Sequence, residues 1–238
     1  MNNRLAKLRS YMAANDIEAA LLTSYHNINY FSDFVHCRFG RPYGLAVTHD
    51  KATTISALID WGQPWRRANV CDNVVYTDWH KGNYWRAVQQ LIGHVQGKVA
   101  CEFDEITLDN LRNLQLAIPG REMVDIGGPT MGMRLYKSAE EVEHIKMCAS
   151  IANTGGSAVI GAMKEGVGEH EVALKGTEAM VKEIAKRMPH GELRDSKYNP
   201  RQFGLRRFGA FSYDEEFRSV ESQNGIWYPQ FHFSLILG

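Results

Sequence analysis

Cysteine is scarce in this chain of 238 residues, and neither sign of charge is in excess. The four cysteines are far apart and form no Cys-x-x-Cys pair, which argues against a structural zinc site and against a disulfide framework. Lys plus Arg and Asp plus Glu both number 27, so no overall basic field attracts nucleic acid or an anionic membrane. We therefore expect reduced thiols, no nucleic-acid partner and no membrane partner.

Long apolar runs are also missing. No window reaches the roughly 18 uncharged apolar residues of a membrane helix, and the charged N-terminus is unlike a signal peptide. The glycine-rich stretch 161–168 lacks the Gly-Lys-Ser/Thr of a nucleotide-binding loop, and the nine histidines form no His-Glu-x-x-His pair. The sequence therefore predicts a cytoplasmic protein with no metal and no cofactor.

Apolar runs alternate with helical periodicity in the first half of the chain. The composition, 44% hydrophobic and 23% charged, is typical of a globular protein with a buried core. Because alternating strands and helices form a sheet covered by helices, residues 1–127 are predicted to be one α/β domain with a mixed sheet. The predicted helices are residues 4–14, 84–95 and 108–118, and the predicted strands are residues 17–23, 43–48, 53–59, 74–77, 98–103 and 122–126.

The sequence changes character after residues 127–129, a Gly-Gly-Pro group that we interpret as a boundary. Ser138 and Glu141 have the spacing of a capping box and precede a long apolar-periodic segment, which predicts a long helix. Residues 171–188 predict a second helix that stops before a proline. Residues 193–238 are rich in aromatic side chains but follow neither a helical nor a strand period, so no element is assigned to this tail.

The segment 24–41 combines aromatic, amide and acidic side chains between two predicted strands. Loops between strands commonly carry binding residues, but the aromatics could instead close the end of the sheet while Asn27 and Asn29 cap a short helix. Near its end, Phe39 and Arg41 stand on either side of a glycine. A flat apolar ring beside a planar cation suits a small molecule with a carboxylate, and a surface ion pair is the alternative for Arg41.

Several motifs of this sequence resemble those of the creatinase family. They are TSYHNINYFSDF, FGRPYGL, DWGQPWRR, VVYTDW, RLYKSAEEVEHIKMCASIA and GVGEHEVAL, and the resemblance covers about residues 3–192. Creatinases share a pita-bread fold with the Xaa-Pro aminopeptidases. The pattern of Arg134, Lys137, Ser138 and Glu141 is typical of this whole group, whereas FGRPY and GQPWRR are closer to creatinases themselves.

The resemblance implies a fold and an activity. It implies an α/β N-terminal domain over residues 1–127, followed over residues 128–192 by the first two helices of an incomplete pita-bread α+β domain. It also implies a homodimer that hydrolyses creatine to sarcosine and urea without a metal. Phe39 and Arg41 match residues that one subunit contributes to the creatine site of the other, with the arginine near the carboxylate.

Residues 193–238 do not match the family. The Gly-Ala-His-Asn-Pro segment that would carry the proton-shuttling histidine is absent, and His232 has none of the expected neighbours. We therefore expect a creatinase-like chain whose catalytic domain is cut short, with no catalytic residue to assign and no activity alone. A non-catalytic interaction or dimerisation module is one alternative. Among enzymes, the alternative is an ectoine-hydrolase-like or Xaa-Pro-aminopeptidase-like relative.

Overall fold

A computed structural model describes residues 3–34, 36, 40–60, 72–77, 79–80, 82–187, 192–195 and 233–236. Of residues 192–195 and 233–236 it describes the backbone alone. The chain divides into two compact units, Met1–Tyr136 and Lys137–Gly238. The division falls after residue 136 rather than after residue 127, because a helix not anticipated from the sequence completes the first unit.

Strands and helices alternate along the first unit. All those predicted there are present with their ends shifted by a few residues, and the α/β class with a mixed sheet is confirmed. The strands are β1 (Ile17–Leu22), β2 (Gly44–Thr48), β3 (Ala52–Ala57), β4 (Asp72–Tyr76), β5 (Lys98–Cys101) and β6 (Met123–Asp125). The helices are α1 (Asn3–Ala14), α2 (Tyr25–Ser32), α3 (Asn83–Ile92), α4 (Leu108–Ala117) and α5 (Gly127–Leu135).

The strands form one six-stranded sheet in the order β4-β3-β2-β1-β5-β6. Strand β2 is antiparallel to β1 and β3, whereas β1 is parallel to β5, β3 to β4 and β5 to β6. Every strand except β2 therefore ends at the same edge, here called the carboxyl edge, and β2 begins there. The strand order switches sides at β1, and the carboxyl edge beside such a switch is where α/β sheets commonly bind ligands.

Helices cover the sheet and bury its strands. Strand β3 is buried along its whole length and β1 along most of it, which is typical of a sheet covered on both faces. Helices α1 and α3 contact the sheet through apolar stripes at helical spacing. These stripes contain Leu5, Leu8 and Met12 in α1 and Tyr84, Ala87, Val88 and Ile92 in α3. Within the described ranges, no helix combines the length and the apolar character needed to cross a membrane.

Helix α5 starts at the Gly-Gly-Pro group that the sequence analysis interpreted as a boundary. A proline is tolerated in this first turn, because the first backbone N–H groups of a helix have no partner within it. The Asp125 Oδ1 atom accepts the Gly127 N–H at 2.9 Å. Further along the helix, the Tyr30 hydroxyl donates to the Met133 carbonyl at 2.9 Å. The group therefore begins a helix of the first unit instead of ending that unit.

The second unit contains two long helices, α6 (Ala139–Ala162) and α7 (Glu169–Arg187). The predicted capping box is confirmed: the Ser138 Oγ atom accepts the Glu141 N–H at 3.1 Å, and the Glu141 carboxylate accepts the Ser138 N–H at 2.7 Å. Two short strands, β7 (Glu192–Asp195) and β8 (Phe233–Ile236), pair antiparallel where the sequence predicted no element.

Small residues allow α6 and α7 to pack closely. A Cβ atom at Gly155 would lie 2.5 Å from Met180 Cγ, and one at Gly176 would lie 2.6 Å from Val159 Cγ2. Because α6 and α7 approach each other closely at these two glycines, neither position has room for a side chain. Among residues 137–187 of this unit, the exposed large apolar side chains are Val142, Ile145, Ile160, Met163 and Leu174.

Gly44→Ala should destabilise the first unit, because the new Cβ would lie 2.6 Å from Tyr84 Oη and 3.2 Å from Leu21 Cδ1. Overpacking of this kind costs about 1–3 kcal/mol, which urea unfolding measures. Because Tyr84→Phe removes the clashing hydroxyl, Gly44→Ala should cost less in that background. Gly128→Ala is the matched control, since no atom lies within 4 Å of its Cβ position. Equal stability losses for the two alanine variants would contradict this account.

Candidate functional site at the carboxyl edge

A pocket of about 240 Å³ opens in the first unit at the carboxyl edge. Its walls come from the residues after β1, the residues before β2, the first turn of α3 and the region between β5 and α4. These segments meet because the sheet topology brings all of them to this edge. The pocket, called the edge pocket below, is lined by Thr23, His36, Gly40, Arg41, Pro42, Tyr43, Tyr84, Trp85, Glu105 and Asn110.

Buried aromatic rings form the inner part of the edge pocket. The His36 and Tyr43 rings stack with their centroids 4.2 Å apart and an interplanar angle of 21°. Both side chains are buried, as is that of Tyr84. Burial raises the pKa of the Tyr84 hydroxyl well above its usual value, so this group stays neutral. The inner surface is therefore aromatic, and the Tyr84 hydroxyl within it is uncharged.

Three tyrosines hold the segment that carries Arg41. The Tyr76 hydroxyl donates to the Pro42 carbonyl at 2.9 Å, and the Tyr84 hydroxyl donates to the Tyr43 carbonyl at 3.2 Å. The Tyr43 hydroxyl in turn donates to the Asp60 carboxylate. Backbone carbonyls that are fixed at two successive residues leave this segment little freedom, so the wall of the pocket is well defined.

Charged residues of both signs lie at the exposed rim. Arg41 follows Gly40, whose φ of 71° falls in the left-handed region that glycine adopts most readily. Glu105 lies on the turn after β5, and its N–H donates to the Glu102 carbonyl at 3.2 Å. Asn110 is placed by the N-cap of α4, where the Thr107 hydroxyl accepts the Asn110 N–H at 3.2 Å. Arginine, carboxylate and amide groups thus line one opening.

The structure places only part of the predicted binding pair. Arg41 lines the edge pocket, and its role in substrate binding stays a prediction. Phe39 lies outside the described residues, so its pairing with Arg41 stays a prediction. The motif at residues 60–67 is described only at Asp60. His36, Trp85, Glu105 and Asn110 were not singled out by the sequence analysis.

A buried carboxylate lies at the end of β5. Glu102 accepts hydrogen bonds from the Thr23 N–H at 2.6 Å, the Ser24 N–H at 3.1 Å and the Asn27 side-chain amide at 2.7 Å. The same Asn27 amide donates to the Thr130 hydroxyl at 3.0 Å. The Glu102 side chain therefore joins the end of β5 to the residues after β1 and at the start of α2, and Asn27 joins α5 to this group.

Burial and hydrogen bonding shift the pKa of Glu102 in opposite directions. Burial raises the pKa of this carboxyl, whereas the hydrogen bonds from Thr23, Asn27 and Ser24 lower it, and the net direction is upward. Burial also raises the pKa of the neighbouring Cys101 thiol to about 12. Cys101 is thus a buried free thiol, which agrees with the expectation of reduced cysteines at this one position.

Helix α2 is not capped by Asn27, which was one possibility suggested by the sequence. Ser24 is the N-cap, and its hydroxyl accepts the Asn27 N–H at 3.3 Å. Asn27 lies inside the helix and is bound to Glu102, so it is not the cap. A short helix in this segment is confirmed, but the residue that caps it is Ser24.

Metal ligation is not supported by the described side chains. Among them, no group of three or more His, Cys, Asp or Glu residues comes together in a way that could hold a metal ion. His232 lies outside the described residues.

The first unit matches a known protein family. The family model of the Creatinase/Prolidase N-terminal domain matches residues 4–136, nearly the whole of this unit. The chain belongs to this family. A curated creatinase from Bacillus sp. (strain B-0618) is 51% identical over 199 residues, which are 82% of this chain and 48% of that protein. The chain thus spans about half the length of this relative.

Solved structures support the same family fold. A prolidase from Pyrococcus furiosus is similar with a TM-score of 0.63 and 21% identity, over 75% of this chain and 52% of that chain. A proline dipeptidase from Streptococcus pneumoniae is similar with a TM-score of 0.52 and 21% identity, over 56% of this chain and 98% of that chain. At these identities the similarity establishes the fold alone.

Glu102→Gln should destabilise the first unit, because a side-chain NH₂ would replace one of the two oxygens that the Thr23, Ser24 and Asn27 donors share. A buried donor left without its acceptor costs about 1–3 kcal/mol, which chemical unfolding measures. Glu122→Gln, at an exposed residue before β6, is the matched control. Unchanged or increased stability in Glu102→Gln would show that burying the charge costs more than its hydrogen bonds contribute.

Proposed function

We propose that this chain is the N-terminal part of a creatinase-type amidinohydrolase, which converts creatine and water to sarcosine and urea. The 51% identity to a creatinase carries this proposal. Because the match extends over 199 residues, it is longer than the family domain at residues 4–136 and reaches into the second unit. Its identity of 51% is also well above the 21% of the prolidase from Pyrococcus furiosus, which matches a similar share of the chain, so the similarity is not limited to the shared fold.

Arg41 is the residue proposed to hold the substrate. Creatine carries a carboxylate, and a guanidinium offers a carboxylate two parallel hydrogen bonds. The position of Arg41 on the wall of the edge pocket supports this role. Phe39 would shield the ion pair from water. In the proposed homodimer, this pair acts at the catalytic site of the other subunit.

The chemical step needs a group that this chain does not supply. Hydrolysis of the guanidinium carbon–nitrogen bond requires water activation and a proton for the departing sarcosine nitrogen, a task suited to an imidazole. The chain as written has no Gly-Ala-His-Asn-Pro segment to provide such a histidine. We propose that it contributes Arg41 to a substrate site when that site is completed, and that it does not hydrolyse creatine alone.

A second candidate is an Xaa-Pro dipeptidase-like relative, favoured by the solved prolidase and dipeptidase structures of similar fold. Those similarities concern the fold, which does not fix the substrate. A non-catalytic dimerisation module is the non-enzyme alternative. Assays with creatine and with an Xaa-Pro dipeptide on a completed enzyme separate the three, because the module would turn over neither substrate.

The 238-residue chain should release no urea from creatine above a buffer control. Loss of an acid–base group alone lowers a rate by about 10²- to 10⁴-fold, and loss of the surrounding cavity also removes positioning. A chimera that joins residues 1–192 to the catalytic part of the Bacillus creatinase should release urea. Urea from the unmodified chain would contradict the proposed division of roles, and an inactive but folded chimera would contradict the proposed function.

Arg41→Ala in that chimera should lower kcat/KM for creatine by about 10- to 150-fold, since a desolvated charged hydrogen bond contributes roughly 1.5–3 kcal/mol. Arg41→Lys should recover only part of the loss, because an ammonium lacks the planar fork. Arg112→Ala, at an exposed arginine of α4 outside the pocket, is the control and should retain full activity. Equal kcat/KM values for Arg41→Ala and Arg112→Ala would refute the assignment.

Action across the dimer can be tested with mixed subunits. An Arg41→Ala chimera is combined with a chimera that lacks the catalytic histidine. If Arg41 serves the other subunit, the mixed dimer contains one site with both lesions and one intact site, so activity should return. No recovery in proven heterodimers would show that Arg41 does not act across the interface.

A further inference from the structure

Tyr76 holds a backbone group next to Arg41 without lining the edge pocket. It is the last residue of β4, its side chain is buried, and its hydroxyl donates to the Pro42 carbonyl at 2.9 Å. Because β3 lies between β4 and β2, this hydrogen bond ties the residues before β2 to a strand that is not adjacent to β2 in the sheet. The lining of the edge pocket includes Pro42 but not Tyr76. Any effect of Tyr76 on a ligand is therefore indirect.

The Pro42 carbonyl controls the direction of the chain at this point. The ring of a proline fixes φ at about −65°, so the orientation of the Pro42 carbonyl depends on ψ alone. A hydrogen bond to that carbonyl holds ψ, which is the remaining soft dihedral angle of the residue. The Tyr76 hydroxyl thus sets the direction in which the chain leaves Pro42 and enters β2.

The backbone of Arg41 is restricted on both sides. A residue before a proline is biased toward extended conformations, and the preceding Gly40 has a φ of 71°, in a region that glycine adopts most readily. Once Pro42 is oriented relative to the sheet, the Cα–Cβ bond of Arg41 is oriented as well. Loss of the hydrogen bond at Pro42 would therefore displace the guanidinium at the end of this side chain.

Tyr84 supports the same segment but is a less specific candidate. Its hydroxyl donates to the Tyr43 carbonyl at 3.2 Å, and its ring is in edge contact with the Tyr76 ring, with centroids 5.7 Å apart. Tyr84 also lines the edge pocket, so a substitution there would change the wall of the pocket directly. Of these two tyrosines, Tyr76 is the one whose effect on Arg41 can be separated from contact with a ligand.

We propose that Tyr76 is a positioning residue for substrate binding: its hydroxyl orients Pro42 and thereby places the Arg41 guanidinium for the substrate carboxylate. The inference rests on the proposed function, from which it takes the role of Arg41. It adds a residue outside the pocket on which the affinity for substrate depends. In the proposed homodimer, Tyr76 of one subunit serves the substrate site of the other.

The kinetic test is Tyr76→Phe in the chimera described above, because this change removes the hydroxyl and keeps the ring. The KM for creatine should rise about 2- to 10-fold, the range that corresponds to one neutral hydrogen bond, while kcat changes by less than about 2-fold. An interaction that holds substrate and transition state equally affects KM and not kcat. A purely structural loss would instead lower the fraction of active enzyme and therefore kcat.

Tyr30→Phe is the matched control. The Tyr30 hydroxyl also donates to a backbone carbonyl at 2.9 Å, that of Met133, and Tyr30 does not line the edge pocket. This variant should lose a similar amount of stability in urea unfolding, because it loses the same kind of hydrogen bond. Its KM for creatine should equal that of the unmodified chimera.

A double variant shows whether Tyr76 acts through Arg41. Tyr76→Phe added to Arg41→Ala should raise KM no further, since the side chain that Tyr76 positions is already gone. A further rise as large as that in the chimera with Arg41 intact would show that Tyr76 acts by another route, and would overturn the inference.

Hydrogen exchange tests the geometric step without turnover. In the 238-residue chain, the backbone amides of Gly40, Arg41 and Tyr43 should exchange about 2- to 10-fold faster after Tyr76→Phe, and Tyr30→Phe should leave them unchanged. Equal exchange in Tyr76→Phe and the unmodified chain would overturn the inference, whatever the kinetic result.

The kinetic outcomes separate this inference from the proposed function. A raised KM in Arg41→Ala together with an unchanged KM in Tyr76→Phe would refute the inference alone. Full activity in Arg41→Ala, or an inactive but folded chimera, would refute the proposed function and the inference with it.

Discussion

The geometry of the carboxyl edge depends on the hydrogen bonds that the buried Glu102 carboxylate accepts. It accepts backbone hydrogen bonds from Thr23 and Ser24 where β1 passes into α2, and a side-chain hydrogen bond from Asn27. A carboxylate without these donors would be very unfavourable in such a buried position. The geometry of the edge is therefore restricted to arrangements in which the end of β1, the start of α2 and the end of β5 meet around this side chain.

The position of the candidate site follows from the strand order. Strand β2 is antiparallel to its neighbours, so its first residues lie at the edge where the other strands end. This arrangement brings Arg41, shortly before β2, close to residues that follow β1 and β5. Tyr76 and Tyr84 then fix the backbone at Pro42 and Tyr43. The edge pocket therefore has a charged rim and an aromatic interior.

Much of this fold could be predicted from the sequence, because its strands are apolar runs and its helices have clear apolar stripes. The Ser138 and Glu141 capping box could also be predicted, since its signal is local. Helix α5 could not, because Gly-Gly-Pro usually ends an element. Here a local hydrogen bond from Gly127 to Asp125 and a long-range hydrogen bond from Tyr30 to Met133 stabilise a helix that begins at these residues.

The candidate site was harder to predict from the sequence than the fold was. Arg41 was first singled out as a planar cation next to Phe39 and Gly40, and the resemblance of this motif to creatinases then favoured substrate binding over a surface ion pair. Glu105 and Asn110 were missed because they join Arg41 only through the β1–β5 pairing, which is not evident from residues far apart in the chain. Glu102 left a weaker signal, because it lies between Cys101 and Phe103 at the end of an apolar strand but is followed by two exposed acidic residues, Asp104 and Glu105.

The most direct test of the central claim is a crystal structure of the chimera that joins residues 1–192 to the catalytic part of the Bacillus creatinase, grown with creatine. The account predicts creatine at the catalytic site of each subunit, with its carboxylate within hydrogen-bond distance of the Arg41 side chain of the other subunit. Creatine bound without contact to Arg41 would contradict it.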